Sequence, residues 1–490
     1  MADTEILDLE LIKKRAIGGV VTLTLRTFFV QAFAFFATFI LTILLSPSIF
    51  GIFFLVSALL NFLVYFSDIG LAAALIQKKE KPTNADLKTT FTIQQIIILC
   101  LVSTGLLFSG KIASFYNLDA QGLMLLRILV VSLFFSSLKT IPSILLERNL
   151  SFSRLVIPQI AENLIFYTVA VTLALMNFGI SSFTWAVLAR GTVGLVLIYF
   201  LSPWIPKIGF AKDSAKKLIS FGLPFQANSL LALLKDDLLT VFLGKILTFS
   251  EIGYVGWAQK WAFVPLRFFM DNVNKVIFPA YSRLQEHKEE LGKAIEKSLF
   301  FVTYFVYPSA FGLVAVIPNL VRIIPNYQKW EPAIPLLYFF AINSIFSAVS
   351  TTFTNALFAT GRPKIVLTLM TFWTFLIWVF TYPLVKAFGY NGVGIASAIV
   401  AATSIATVYF VKKEVNVKIG RNIFGPLIIS IMMFIFVKSF LNILPQNIFG
   451  LLLAVTAGAI IYFVASFIML GRHLLEDSMT IVKAIFTKSK

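Results

Sequence analysis

The chain has 490 residues, of which 58% are hydrophobic and 13% charged, and its mean hydropathy is +0.89. A soluble protein of this length needs far more charge to cover its surface, which leaves the polytopic membrane class. The formal net charge of +18 reads as a topology signal rather than a nucleic-acid footprint, because the basic residues alternate from side to side along the chain.

The N-terminus, MADTEILDLE, is acidic, and no small-residue cleavage site follows a short apolar run. No cleaved signal peptide is expected; the first span does the targeting. A bilayer span needs about 20 apolar residues. Fourteen stretches qualify: 17–45, 48–76, 89–110, 121–145, 155–177, 182–203, 217–243, 252–280, 298–317, 333–358, 365–386, 391–411, 422–441 and 448–470. They are numbered here spans 1 to 14. The connections between them are short and leave no room for a soluble domain.

With the N-terminus inside, the cytoplasmic segments hold Lys13, Lys14 and Arg15, then Lys78, Lys79, Lys81 and Lys88, then Arg148 and Arg154, then Lys207, Lys212, Lys216 and Lys217. They continue with Arg283, Lys288, Lys293 and Lys297, with Arg362 and Lys364, with Lys412, Lys413, Lys418 and Arg421, and with the tail residues Arg472, Lys483, Lys488 and Lys490. The outer loops hold only Lys111, Lys245, Arg322 and Lys329. This asymmetry predicts a multi-pass protein of the cell (plasma or inner) membrane with both termini cytoplasmic. The single cysteine, Cys100, excludes an internal disulfide and a cysteine metal cluster. The two histidines, His287 and His473, lie in charged loop or tail sequence and exclude a histidine-based site within the membrane. No cofactor and no metal is expected.

The segment 281–297 has helical spacing at Leu284, Leu291 and Ile295, which predicts an amphipathic helix on the inner membrane surface. Its plain alternative is a solvated connector. Internal repetition is visible at two places. Leu45-Ser46-Pro47-Ser48-Ile49-Phe50-Gly51 resembles Leu247-Thr248-Phe249-Ser250-Glu251-Ile252-Gly253, and the end of span 4 (Ile144 to Leu150) corresponds to the end of span 10 (Ala356 to Arg362). Both pairs are six spans apart. The fold expected is therefore all-α, with two six-helix bundles in parallel pseudo-repeat around a central cavity, residues 1–210 and 211–420. Residues 421–490 add spans 13 and 14 and a cytoplasmic tail, outside the repeat.

Span 8 stands out. Lys260, Arg267, Asp271 and Asn274 fall on one helical face at about 100° per residue, and Lys275 lies beside them. Val264, Phe268 and Ile277 are the positions of this span expected to meet lipid. A charged side chain deep in a bilayer costs roughly 2.5–3.5 kcal/mol even on lenient insertion scales, so this stripe is expected to face a polar interior.

The stretches LLSPSIFGIFFLVSALLNFLVYFSDIGLAAALIQ at 44–77 and LGKILTFSEIGYVGWAQKWAFVPLRFFMDNVNKVIFPAYSRLQ at 243–285 resemble Wzx-type polysaccharide flippases. These belong to the multidrug/oligosaccharidyl-lipid/polysaccharide exporter superfamily, and the resemblance is to the exopolysaccharide branch with colanic-acid-like and teichuronic-acid-like substrates. The resemblance covers essentially the whole chain. It implies spans 1, 2, 7 and 8 around lateral portals, and flipping of undecaprenyl-diphosphate-linked oligosaccharide from inner to outer leaflet by alternating access. The implied partners are that lipid-linked substrate, membrane lipids, a coupling H+ or Na+, and the polysaccharide polymerase and glycosyltransferases of the same assembly line.

A lipid diphosphate is anionic, and arginine offers a planar donor fork matched to phosphate oxygens. Arg26 on span 1, Lys260 and Arg267 on span 8, and Arg190 on span 6 are the expected diphosphate contacts. Asn228 and Gln259 add neutral hydrogen-bonding groups, and Trp257 and Trp261 offer faces for sugars. Asp236, Asp237, Asp271, Lys235 and Asp68 are candidates for ion coupling or gating. Plainer readings exist: Arg267 and Asp271, four apart, neutralise each other; Asp68 pairs with Lys78 or Lys79; Arg127 and Lys139 anchor span 4 at the interface; Trp330 marks an interface. The competing functions are a multidrug or cation exporter and a lipid II flippase of the same superfamily. The cationic balance of the embedded charges favours an anionic substrate. A membrane enzyme would want a sizeable loop with carboxylate or histidine machinery, which the short outer loops do not supply.

Overall fold

The computed structural model describes residues 27–78, 80–227 and 230–487, which are helical throughout with no strand among them. The chain divides into two compact units, Met1–Gly253 and Tyr254–Lys490. The first holds α1 (Thr27–Leu44), α2 (Pro47–Tyr65), α3 (Leu71–Gln77), α4 (Asn84–Tyr116), α5 (Ala120–Leu138), α6 (Thr140–Arg148), α7 (Phe152–Leu175) and α8 (Ser181–Leu201). It also holds α9 (Lys212–Ala227), α10 (Leu230–Lys235), α11 (Asp237–Ile246) and the start of α12 (Phe249–Leu284). The second continues with α13 (Lys288–Ile323), a 3₁₀ turn (Gln328–Ala333), α14 (Ile334–Ala359), α15 (Pro363–Phe388), α16 (Asn391–Thr403), α17 (Ala406–Glu414), α18 (Gly420–Leu441) and α19 (Ile448–Thr487).

Among the described residues, 12 helices are long and apolar enough to cross a membrane. The two expected spans missing from that set are spans 7 and 8. Span 7 is divided into α9, α10 and α11. Span 8 is the 36-residue α12, whose Glu251, Lys260, Arg267, Asp271, Lys275 and Arg283 dilute its apolar character. The fourteen-span expectation thus weakens at the two segments richest in embedded charge.

Proline also frees three backbone carbonyls within the spans, one of them at a helix break. Pro142 has no N–H to return to the carbonyl four residues earlier, so α5 ends at Leu138 and α6 restarts at Thr140, with Lys139 at the break. In a bilayer the freed carbonyl must find another donor, and Tyr199 Oη of α8 donates to Leu138 O at 3.0 Å. The same device recurs in the second unit. Pro308 frees Tyr304 O, which accepts from Tyr462 Oη of α19 at 2.7 Å. Pro426 frees Asn422 O, which lies 2.7 Å from Thr303 Oγ1 of α13. Losing such a donor leaves a buried carbonyl unpaired, at a cost of about 1–3 kcal/mol. Tyr462→Phe should therefore lower the thermal midpoint of the purified protein in micelles, whereas Tyr409→Phe, at an exposed site, should leave it unchanged.

Close backbone approaches organise the first unit. Pro47 opens α2 and Phe249 opens α12, and these are matching positions of the sequence repeat. A β-carbon on Gly51 would fall inside the Phe249 carbonyl, and one on Gly253 inside the Pro47 carbonyl. The two repeat copies therefore cross reciprocally, each glycine making room for the residue that opens the other helix. Further along, span 2 breaks between α2 and α3, where Ile69 and Gly70 have φ of 43° and 77°. The break rests on α9, with the Gly222 carbonyl where a Gly70 side chain would stand.

Two expectations are corrected in the second unit. Segment 281–297 is no surface helix: α12 runs on to Leu284, α13 begins at Lys288, and Leu291, Ile295 and Leu299 are fully buried with Tyr281, Phe353, Leu357 and Val411. Ile277 joins the same core instead of meeting lipid. Spans 13 and 14 are packed in as well, since Ile429, Met433, Val437, Ala454 and Tyr462 of α18 and α19 share a core with Tyr304 and Ala315 of α13.

Candidate functional site

In the second unit, the cationic stripe is carried by α12. Gln259, Lys260 and Arg267 are exposed, while Trp257, Ala258, Ala262 and Met270 of the same helix are buried. Lys260 and Arg267 are seven residues apart, which places them on one face about 10 Å apart along the axis. Two long side chains at that spacing can converge on one diphosphate. Asp271 lies further along α12; its side chain and those of Asn274 and Lys275 are outside the described ones. Trp257 does not face sugar. It is 2% exposed, its ring stacks on Trp330 at 5.4 Å, and its Nε1 donates to Tyr327 Oη at 3.0 Å. Trp330 itself is fully buried, so it is core and not an interface marker.

In the first unit, Asp68 lies in the break between α2 and α3 and its carboxylate accepts from Ala72 N at 3.2 Å, closing the start of α3. The cation expected beside it, Lys78, instead meets Asp86 at 2.6 Å, because the α4 start folds back over that lysine. Lys235, Asp236 and Asp237 fall at the junction of α10 and α11, and Asp237 accepts from Asn61 Nδ2 of α2 at 2.9 Å. One turn along, Tyr65 and Gln226 bond reciprocally: Tyr65 Oη donates to Gln226 O, and Gln226 Nε2 to Tyr65 O. A polar seam thus joins α2 to span 7. Arg26, Asn228 and Lys79 lie outside the described residues.

The grouping that sequence reasoning missed surrounds Glu162 of α7. Lys139 Nζ meets Glu162 Oε1 at 2.6 Å, and Arg190 Nε of α8 lies 3.8 Å from Glu162 Oε2. Lys139 is therefore no interfacial anchor. It stands at the helix break, among Gln94 Nε2 bonded to Thr140 Oγ1 and Gln95 Nε2 bonded to Ser137 Oγ. Gly194 of α8 leaves the room that the Glu162 carboxylate fills. The available signal was Pro142: a proline three residues past a lysine in an apolar span marks a freed carbonyl and a polar neighbourhood.

Comparison with known proteins gives the chain a family. The family model described as Polysaccharide biosynthesis protein matches residues 40–335. The chain is 22% identical over 461 residues to the succinoglycan biosynthesis transport protein ExoT of Rhizobium meliloti (strain 1021), covering 91% of each chain. It is 23% identical over 298 residues to the teichuronic acid biosynthesis protein TuaB of Bacillus subtilis (strain 168), 60% of this chain and 61% of that one. Among solved structures, the lipid II flippase MurJ in an inward closed conformation aligns with a TM-score of 0.75, over 93% of this chain and all of that one. At 16% identity that is a likeness of fold. With the family model matched over more than half its length, the chain belongs to the polysaccharide biosynthesis protein family.

Proposed function

We propose that this protein moves undecaprenyl-diphosphate-linked oligosaccharide repeat units from the inner to the outer leaflet of the cell membrane, by alternating access, for surface polysaccharide synthesis. It acts as a transporter and not as an enzyme, with both termini in the cytoplasm. The observation that carries this reading is the exposed Lys260–Arg267 stripe on α12 in a chain of the polysaccharide biosynthesis family. Exposed cations inside a span demand a polar interior, and a lipid diphosphate supplies the matching anion.

In this scheme Lys260, Arg267, Arg190 and Arg26 engage the diphosphate, while Asn228 and Gln259 donate to the glycan. Asp236, Asp237, Asp271, Lys235 and Asp68 serve coupling to H+ or Na+, or gating. The transport halves are 1–210 and 211–420, with 421–490 as the added pair of spans. The polymerase and glycosyltransferases of the same assembly line act downstream and upstream of it.

Deleting the gene should abolish surface polysaccharide and leave lipid-linked repeat units on the inner leaflet, with both restored by a plasmid copy. Unchanged polysaccharide together with new sensitivity to cationic dyes would overturn the reading in favour of a drug exporter.

A further inference from the structure

The charges around Glu162 do not balance, and the imbalance has a direction. The half-buried ammonium of Lys139 already neutralises the carboxylate at 2.6 Å, with side-chain exposures of 18% and 12%. Arg190 stands further off, at 3.8 Å, and is 49% exposed. Among the described residues its guanidinium makes that one charge contact and no hydrogen bond. Yet Arg190 lies near the middle of the 21-residue α8, roughly 15 Å from either end. An arginine at that depth, with its donor fork unspent, is costly unless something anionic comes to it.

The charged groups facing Glu162 are Lys139, from the α5–α6 break, and Arg190, from α8; α6 and α8 are elements packed against α7. The two cations compete for one carboxylate. Lys139 holds it because the proline-broken helix fixes its backbone beside α7, and Gly194 opens the place where the carboxylate sits.

We propose that Lys139 and Glu162 are positioning residues that keep Arg190 available as a second anion subsite, in the first unit, for the diphosphate oxygens of the lipid-linked substrate. Glu162 orients the guanidinium. Lys139 spends the carboxylate's charge, so that Arg190 is held in place without being consumed. This rests on the lipid-diphosphate reading above, and it makes a prediction that a purely structural ion pair does not. Removing Lys139 alone lets Glu162 capture Arg190; removing the Glu162 charge as well releases it again.

The test is binding of sugar-free undecaprenyl diphosphate to the purified full-length protein in nanodiscs, for wild type, Arg190→Gln, Lys139→Met, Glu162→Gln and the Lys139→Met/Glu162→Gln double variant. Thermal midpoints are recorded for each. Loss of one charge-assisted contact should weaken binding about tenfold in Arg190→Gln and in Lys139→Met. The double variant should return to within about threefold of wild type, since only orientation of Arg190 is then lost. A double variant that binds no better than Lys139→Met, while staying folded, overturns the inference. So does a Lys139→Met variant that binds like wild type. If wild type itself does not bind the prenyl diphosphate, the substrate reading fails first and this inference falls with it. If wild type binds and the rank order is flat, the inference alone fails.

Discussion

Gly51→Ala and Gly253→Ala should each cut surface polysaccharide sharply and lower the protein's thermal midpoint, although each adds a single methyl group. The cause is geometric: either β-carbon would occupy the carbonyl that opens the opposite repeat copy. Backbone cannot rotate aside as a side chain can, so α2 and α12 must separate at their crossing. Overpacking of this kind costs about 1–3 kcal/mol, and here both copies feel it. The control has the opposite sign. Gly110, within α4, has nothing near its would-be β-carbon, and alanine there should be neutral or stabilising by about 0.5–1 kcal/mol. Melting curves of the three purified variants, beside polysaccharide yield, decide the matter. A Gly51→Ala protein that melts and exports like wild type would show that the crossing is slack.

The second large effect is chemical. Lys260→Gln combined with Arg267→Gln should reduce export and prenyl-diphosphate binding by more than about a hundredfold, from two charge-assisted contacts at about 1.5–3 kcal/mol each. The thermal midpoint should hold, because exposed positions contribute little to packing. Each single variant should lie between. Conservative exchange should separate charge from shape. Arg267→Lys keeps the charge but loses the planar fork, and partial activity is expected. Wild-type export by the double glutamine variant would remove α12 from the substrate path.

Hydropathy made most of the long apolar helices legible, because a bilayer punishes polar backbone and charge whatever the fold. The repeat in Leu45–Gly51 and Leu247–Gly253 was equally readable, and its two copies meet at those glycines. Other features were not readable because they depend on neighbours distant in sequence. Nothing local to Lys139 says that Glu162, 23 residues on, will take its charge. Trp257 has the composition of a sugar platform, yet Tyr327 and Trp330 bury it. Leu291 and Ile295 have the period of a surface helix, and the same period serves a core when α14 and the Val411–Val417 stretch supply the other wall. Periodicity gives a face and leaves open what covers it. On α12 the exposure of Lys260 and Arg267 follows the same rule, with their partners left open.

The proline-freed carbonyls set an order on biogenesis. Tyr304 O is exposed as soon as Pro308 enters the bilayer, but its donor, Tyr462, is 158 residues further along the chain. At about 5–20 residues per second, synthesis leaves that carbonyl waiting roughly 8–30 s. Asn422 O, by contrast, meets a hydroxyl on Thr303 that is already in the membrane. The last span is thus the piece that completes the second unit, and a nascent chain interrupted before Ile448 carries a visible mark of being unfinished. α19, which brings Tyr462 to Tyr304 O, is in this sense the closing clasp of the second unit.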